Sequence, residues 1–336
     1  MKKITIKDIA AMANVSYSTV SRAVSGSAKV SASTRETILK ICSEKGFRIN
    51  TLARSMVKKR TNVIGVIIPN ITNPFYSEIV LHIDRHARRL GYICMICNGM
   101  YDDVQIEDLL EFMMSQQVDG IILASPRDST CERIEKYTSQ IPIVYIGVNP
   151  GQYSGNFVNT NNKLGGYMAC EYLHRLGHRD IVYFGYREGS STHSDRLEGF
   201  QKAAQDFGIQ PTVLYNNEGH STIEAGYRLG LKLLNSPNKF SAVFVVSDTL
   251  ALGLLQAAEE NGIAIPEAFS MLGYDNISYS NLPKIHLTSV AQPLEQIAVN
   301  AVDLLLDAVR NQDLDNFVNR SLNPFLVERN SCLPND

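Results

Sequence analysis

The sequence predicts a small all-α head followed by an α/β core of two doubly wound lobes. Three observations predict this fold class. A helix-turn-helix pattern occupies Ile4 to Gly26, the first 60 residues are strongly basic, and strands alternate with helices from Thr61 onward. Because alternating strands and helices fold as parallel sheets covered by helices, most of the chain is expected to be doubly wound.

The first two helices have recognisable start and stop signals. Thr5 is an N-cap candidate, and Asp8 three residues later suits the first helical turn. Asn14 and Val15 provide the turn, and Ser16 is placed to cap a second helix that ends near Gly26. The pattern therefore predicts two short helices joined by a tight turn.

The second helix has one apolar and one polar face. Val20, Ala23 and Val24 recur at helical spacing on the apolar face. The neighbouring polar face carries Tyr17, Ser18, Ser21 and Arg22. This is the layout of a DNA-binding helix-turn-helix, whose second helix enters the major groove. The alternative is a small helical hairpin packed on a larger domain.

Charge is distributed unevenly along the chain. Residues 1–60 contain 13 Lys and Arg against 3 Asp and Glu, a balance of +10, whereas the remainder has 19 basic and 31 acidic residues. A basic head on an acidic body is typical of a phosphate-binding module joined to a small-molecule sensor. A solvated basic arm would give the same balance, but here the charge coincides with the helix-turn-helix.

A third helix and a linker complete the N-terminal part. The helix begins at Ser31 or Ser33 and runs to Gly46, and its apolar residues would close a three-helix core. Phe47 to Arg60 follows as a short helical pattern with a basic end. A helix this short is marginal in water, so we expect it to form only when docked.

From Thr61 the pattern predicts two successive α/β units. Predicted strands are 63–68, 92–97, 120–123, 143–146, 181–184, 213–215, 242–246, 270–273, 287–290 and 325–328. Predicted helices are 74–90, 104–116, 130–137, 163–176, 196–207, 223–234, 249–261 and 294–310. Two such lobes leave a cleft lined by loops at the carboxyl ends of their strands.

The composition points to an ordinary cytoplasmic protein. No secretory signal follows Met1, and no stretch approaches 18 apolar residues. The six cysteines are scattered, and the CxxC of Cys94 and Cys97 falls within a predicted strand without a partner pair. We therefore expect reduced thiols, no metal site and no cofactor.

Ten motifs in a fixed order resemble the lac repressor/galactose repressor (LacI/GalR) family of bacterial transcription regulators. They span essentially the whole chain: VSYSTVSRAVSG (15–26), VSASTRETI (30–38), LARSM (52–56), NPFY (73–76), VDGIIL (118–123), NNKLGGYMACEYLHRLGH (161–178), RLEGFQKA (196–203), SDTLALG (247–253), GYDN (273–276) and SVAQP (289–293). No one of these motifs is specific by itself, but together they identify the chain as a member of this family.

The resemblance implies a domain organisation. It gives a helix-turn-helix domain at 1–47, a hinge helix at 48–60, and a periplasmic-binding-protein-like core at 61–336. The first lobe would hold about 61–160 and 292–320, and the second about 161–291 and 321–336. Family members dimerise through the core on near-palindromic operator DNA. Because the sequence ends at Asp336 without leucine heptads, we expect a homodimer.

The resemblance also assigns DNA contacts. Base readers would be Tyr17, Ser18 and Arg22, and Arg22 suits a bidentate contact to guanine. The other expected contacts, mainly to phosphate, are Thr5, Ser16, Thr19, Ser21, Ser31 and Thr34. For each residue the alternative is a solvated or helix-capping role.

The hinge matches the family pattern at Asn50, Ala53 and Arg54 and departs from it twice. Ile49 stands where proline is usual, which loosens the entry into the hinge helix. Met56 replaces the leucine that wedges between base pairs, and methionine is an acceptable wedge. We therefore expect paired hinge helices to bend DNA through its minor groove.

Effector-binding positions implied by the resemblance fall in the predicted cleft. They are Phe75, Tyr76, Ser125, Gly147, Arg196, Ser221, Ser247 and Asp275. Arg196 and Asp275 match most clearly, and facing each other they would bind several sugar hydroxyls. The alternatives are a structural ion pair for these two residues and ordinary core packing for the two aromatic residues.

Three of these positions depart from the sugar-binding pattern of the family. Gly147 stands where a charged residue is common, Ser247 replaces asparagine, and Ser221 replaces an aromatic wall. The pocket is therefore expected to be roomier on that side, as for an oligosaccharide or glycoside.

Two other functions compete with an effector-controlled repressor of carbohydrate-use genes. A solute-binding protein for transport would suit the core but not the basic N-terminal domain. An enzyme of the doubly wound class would need a motif such as GxGxxG, a Gly-Lys-Ser loop or GxSxG, and the sequence has none. His178, His193 and His220 have no metal-ligand spacing.

Overall fold

The computed structural model describes residues 4–24, 29–45, 60–149, 153–186, 191–216, 221–237, 239–312 and 314–335. The chain divides into two compact units, Met1–Thr61 and Asn62–Asp336. The predicted hinge helix, with Asn50, Ala53, Arg54 and Met56, lies outside the described residues.

The first unit is a three-helix domain. Its helices are α1 (Ile6–Met12), α2 (Tyr17–Val24) and α3 (Ala32–Glu44). They close over a small apolar core formed by Ile9, Ala10, Val20, Ala23, Ile38 and Cys42. Asn14 has a φ of 52° in the turn between α1 and α2, a conformation that asparagine tolerates better than most residues. The predicted helix-turn-helix is therefore confirmed.

The second unit contains two six-stranded sheets flanked by helices. In chain order its first elements are β1 (Val63–Ile68), α4 (Pro74–Arg89), β2 (Ile93–Asn98), α5 (Asp103–Ser115), β3 (Gly120–Ala124), α6 (Asp128–Ile134), β4 (Ile143–Ile146), β5 (Asn156–Thr160), α7 (Asn162–Arg175), β6 (Ile181–Tyr186) and α8 (Ser191–Asp206). The remaining elements are β7 (Thr212–Asn216), α9 (Ile223–Leu234), β8 (Ala242–Val245), α10 (Asp248–Glu260), β9 (Ser270–Asp275), β10 (Thr288–Ala291), α11 (Leu294–Asn311), β11 (Asn319–Leu322) and β12 (Phe325–Val327). Single 3-10 turns cover Glu135–Tyr137 and Ser278–Asn281.

Each sheet is the centre of one lobe. The first sheet has the order β11-β5-β4-β3-β1-β2, with every pair parallel. The second has the order β12-β10-β9-β8-β6-β7, in which only the β10–β12 pair is antiparallel. The chain passes between sheets after Thr160, after Ala291 and after Leu322. The predicted class of two doubly wound lobes is confirmed.

Three elements differ from the expectation. The sequence pattern did not predict β5 or β11, and α8 begins at Ser191 rather than at Arg196. The strand β5 lacks a hydrophobic pattern because it contains polar residues. The Asn156 and Asn159 side chains accept hydrogen bonds from the backbone N–H groups of Val318 and Val148, at 2.9 and 2.8 Å. These asparagines are buried because loops next to the sheet use them as hydrogen-bond acceptors.

Glycines bring helices of the second lobe into backbone contact. A Cβ on Gly166 of α7 would overlap the Arg196 carbonyl of α8, and one on Gly199 of α8 would overlap the Lys163 carbonyl. Gly226 of α9 and Gly253 of α10 make the same arrangement in the other helix pair. These glycines therefore allow α7 to pack closely on α8, and α9 on α10.

None of the described helices is long and apolar enough to cross a membrane. In the same segments no group of three or more His, Cys, Asp or Glu side chains is arranged to hold a metal ion. The cysteines of the sequence all lie in described segments, and each is a free thiol.

The glycine contacts give a stability prediction. We expect Gly253→Ala to lower the free energy of unfolding by about 1–3 kcal/mol, because the new methyl group overlaps the Ile223 carbonyl of α9. Gly230→Ala is the matched control on the same helix pair. Its Cβ would lie 3.1 Å from the Ala257 Cβ, and the gain in helix propensity of about 1 kcal/mol offsets this crowding. Urea unfolding measures both variants, and equal stability of the two would contradict the role of Gly253.

Candidate functional site

The exposed face of α2 carries the predicted base readers. Val20 and Ala23 are buried, whereas Tyr17 is 54% exposed and Ser18, Ser21 and Arg22 are also exposed. The helix therefore presents its polar residues together, as its sequence pattern predicts. An exposed helix face of this kind has the shape and polarity to enter a DNA major groove.

Several of the predicted phosphate contacts cap helices in this structure. Thr5 and Asp8 form a capping box at α1, and the Ser31 hydroxyl accepts the Thr34 N–H at 3.2 Å. The Ser16 hydroxyl accepts the Thr19 N–H at 3.1 Å and also contacts the Ser18 hydroxyl at 2.8 Å. Because helix N-termini attract anions, a capping role is compatible with a phosphate close by.

The second unit has a cleft between its two lobes that brings all eight predicted effector positions together. Phe75, Tyr76, Ser125, Gly147, Arg196, Ser221, Ser247 and Asp275 line it. It is also lined by Asn73, Tyr101, Arg127, Ile146, Val158, Thr160, Asn162, Tyr186, Thr192, His193, Gln292 and Ile297. Both lobes therefore contribute polar groups to one concave space.

Arg196 is the most constrained residue of the cleft. Only 5% of it is exposed, and its guanidinium lies over the Tyr274 ring at 3.6 Å from the ring centroid. Its Nε donates to Asn162 Oδ1 at 2.8 Å, and Nη1 donates to the Val246 carbonyl at 2.6 Å. Nη2 lies 3.6 Å from Asp275 Oδ1. The guanidinium plane is thus fixed on several sides.

Asp275 ends β9 on an unusual backbone. Its φ is 103°, and the following Asn276 has a φ of 56°. Gln292 Nε2 donates to Asp275 Oδ1 at 2.8 Å. Burial raises the pKa of Asp275 to about 6, while the charge of Arg196 opposes this rise. Backbone in this region is strained for non-glycine residues, and such strain is often found at functional sites.

The buried carboxylate of Asp248 stabilises the turn that follows β9. Asp248 is fully buried and accepts the Ile277 N–H at 3.0 Å and the Ser280 and Ser289 hydroxyls at 2.6 and 2.8 Å. The Ser289 hydroxyl in turn accepts the Asn276 N–H at 3.0 Å. Burial raises the pKa of Asp248 to about 7, and the nearby Asp275 adds to the rise.

The two lobes are joined across the cleft by hydrogen bonds. Asn73 caps α4 and contacts the second lobe at the Thr249 hydroxyl, 3.1 Å away, and the Ser221 carbonyl, 3.5 Å away. Asn149 Nδ2 donates to Asp195 Oδ2 at 2.6 Å. These bonds hold the cleft walls close to each other.

Small residues shape two parts of the wall. Gly147 has a φ of +71°, and a Cβ there would lie 2.9 Å from the Ser125 hydroxyl oxygen. A charged side chain at this position would therefore meet both backbone strain and crowding. On the other wall the Ser221 and Ser247 hydroxyls hydrogen-bond to each other.

The sequence pattern missed several residues of the cleft. Thr192 and His193 lie four and three residues before Arg196, on the same face of α8, whereas the sequence pattern predicts a helix start only at Arg196. Asn162 lies in one of the family motifs, and that motif alone does not reveal that it accepts a hydrogen bond from Arg196. A helix start at Ser191 places Thr192 and His193 on the same helix face as Arg196.

Both units of the chain match known protein families. Residues 5–50 match the family model of bacterial regulatory proteins, lacI family, and residues 170–332 match a periplasmic binding protein-like domain. The transcriptional repressor PurR of Pasteurella multocida (strain Pm70) is 31% identical over 97% of this chain and 98% of its own length.

Solved structures show the same architecture. The lac repressor dimer bound to operator and the anti-inducer ONPF is 27% identical, has a TM-score of 0.87, and is matched over 99% of this chain and 100% of its own. A LacI-family transcriptional regulator from Enterococcus faecium with bound ribose is 28% identical with a TM-score of 0.71, covering 82% of this chain and 100% of its own.

These matches favour the regulator over a solute-binding protein without a transcriptional role, because the PurR repressor and the lac repressor match this chain over nearly its full length. The chain belongs to the lacI family of bacterial regulatory proteins and is a DNA-binding transcriptional regulator.

Proposed function

We propose that this chain represses carbohydrate-use genes and that a sugar or glycoside bound between the core lobes controls it. The observation that carries the proposal is the buried Arg196–Asp275 pair, which lines the cleft together with Asn73, Thr160 and Gln292. Guanidinium, carboxylate and amide groups that converge on one space suit a ligand rich in hydroxyl groups. The ribose in the Enterococcus faecium relative supports this ligand class.

The aromatic wall fits the same ligand. Phe75 and Tyr76 are nearly buried and meet edge to face, with ring centroids 5.2 Å apart, at the start of α4. A sugar ring has an apolar face that packs on such a wall while its hydroxyls reach the polar groups. The short side chains of Ser221 and Ser247 support a ligand with a second residue, as in a glycoside.

The DNA partner is proposed to be a near-palindromic operator bound by a homodimer. The lac repressor dimer on its operator supports this arrangement. Tyr17, Ser18 and Arg22 would read bases, and hinge residues Asn50, Ala53, Arg54 and Met56 would contact the minor groove. We propose a cytoplasmic location, because the chain must reach chromosomal DNA.

Control would work through a population shift. A ligand that binds one lobe arrangement better than another changes the fraction of dimers that are competent to bind DNA. Hydrogen bonds across the cleft, such as that between Asn149 and Asp195, exist only when the lobes are close. Binding energy alone drives this shift, so the proposed function includes no catalytic step. The domain limits 1–47, 48–60 and 61–336 belong to the same proposal.

The proposal predicts a sugar-dependent change in operator affinity. Operators selected from random DNA are titrated with the full chain by fluorescence anisotropy, with and without sugars. We expect one sugar to change the operator Kd at least tenfold. Arg196→Lys removes the planar fork and the Tyr274 contact, so it should abolish this response and leave sugar-free operator binding within twofold.

Arg228→Lys is the matched control, because Arg228 lies on the exposed face of α9 and pairs with Glu224. It should behave as wild type. A full sugar response in Arg196→Lys would contradict the assigned site, and a response only to amino acids or nucleobases would contradict the ligand class.

The recognition helix gives a separate prediction. Arg22→Lys should reduce discrimination at one operator position by about 1–3 kcal/mol, because lysine cannot make the bidentate contact to guanine. Lys7→Gln, on the exposed side of α1, removes a charge and should weaken all operators alike. Operator selection followed by sequencing measures the sequence preference of both variants, and anisotropy titration measures their operator affinity. An unchanged sequence preference in Arg22→Lys would contradict its role as a base reader.

A further inference from the structure

His193 lies in the cleft beside Arg196 and is fixed from one side. It stands in the first turn of α8 and is one of the residues that line the cleft. Its Nε2 hydrogen-bonds to the Tyr186 hydroxyl at the end of β6, and the two ring centroids are 4.2 Å apart. The imidazole therefore has a defined position before any ligand arrives.

The other ring nitrogen has no partner among the described residues. Nδ1 of His193 is screened from solvent and makes no hydrogen bond within the described part of the chain. Leaving a buried polar atom unpaired is unfavourable, because the hydrogen bonds it makes with water in the unfolded chain are not replaced. Native proteins keep few such atoms, and one at a ligand cleft is explained when the ligand supplies the missing partner.

The imidazole is uncharged in this setting. Burial, and then the nearby positive charge of Arg196, hold the pKa of His193 well below its ordinary value. A neutral imidazole has one N–H and one lone pair. Since the Tyr186 hydroxyl can donate to Nε2 or accept from it, Nδ1 accepts or donates accordingly.

We propose that His193 is a specificity-determining residue that reads one uncharged hydroxyl of the ligand through Nδ1, while Tyr186 fixes the ring. A hydroxyl serves because it is both donor and acceptor and therefore matches either tautomer. A ligand cation at this point would be repelled by Arg196, three residues away on the same helix face. The inference rests on the proposed carbohydrate function of the cleft.

A structural histidine in the same lobe looks different. His178 is also buried, but its Nδ1 lies 2.9 Å from the Ser241 hydroxyl and its Nε2 lies 3.0 Å from the Leu333 carbonyl. Both nitrogens are satisfied by protein groups. His178 is therefore the matched control for a variant at His193.

The first test needs no ligand. Thermal unfolding of the full chain is compared for wild type, His193→Phe and His178→Phe. Phenylalanine keeps the ring and removes the unpaired nitrogen, so we expect the Tm of His193→Phe to equal or exceed that of wild type. His178→Phe loses two satisfied hydrogen bonds, and its Tm should fall by several degrees. An equal fall in His193→Phe would overturn the proposal by making that residue structural.

The second test measures specificity. Calorimetric titration of wild type with D-ribose, D-glucose and cellobiose selects the probe that binds most tightly, and its monodeoxy analogues follow. We expect one analogue to bind wild type at least 100-fold more weakly than the parent sugar, because it leaves Nδ1 unpaired. His193→Phe should bind the parent and that analogue within threefold, while His178→Phe should keep the wild-type ratio.

A wild-type ratio in His193→Phe would overturn the inference while leaving the carbohydrate function standing. Binding of none of the three sugars to wild type would count against the carbohydrate function itself. The ligand-free Tm comparison would still decide between a structural and an unpaired His193, so the two failures are distinguishable.

Discussion

The cleft depends on one desolvated charge. Arg196 is buried, and a guanidinium removed from water must find partners for its donors and its charge. Asn162 of α7, the carbonyl of Val246 just after β8, and Tyr274 and Asp275 of β9 supply them. The close approach at Gly166, where a Cβ would overlap the Arg196 carbonyl, sets the distance of α8 from α7. Arg196 therefore takes part both in helix packing and in the polar lining of the cleft.

The acidic partner is held at a conformational cost. Asp275 and Asn276 both have positive φ, and this turn is maintained by backbone N–H groups of Asn276 and Ile277 that donate to Ser289 and Asp248. Buried ion pairs add little stability in general, because desolvation offsets their attraction. We propose that ligand binding accounts for this pair at the cleft, since hydroxyl groups can satisfy the remaining lone pairs and N–H groups.

Hydrophobic periodicity predicted most helices and strands because it reflects local burial, and the basic head with its amphipathic α2 predicted DNA binding. Hydrophobic periodicity failed where polar residues are buried. In β5, for example, buried asparagine side chains accept hydrogen bonds from backbone N–H groups of neighbouring segments. Family resemblance, not periodicity, supplied the eight cleft residues that the structure brings together. Neither identified His193, because it is distinguished by Nδ1, which has no partner among the described residues, and no sequence pattern records this.

The central claim is that Arg196 and Asp275 act as one ligand anchor, and a double-mutant cycle on sugar affinity tests it most directly. Calorimetric Kd values are compared for wild type, Arg196→Lys, Asp275→Asn and the double variant. Residues that act together give non-additive effects, so each single variant should lose at least tenfold in affinity and the double variant at most threefold more. The account would be contradicted if the fold-losses in affinity of the two single variants multiplied in the double variant. Unchanged affinity in either single variant would contradict it as well.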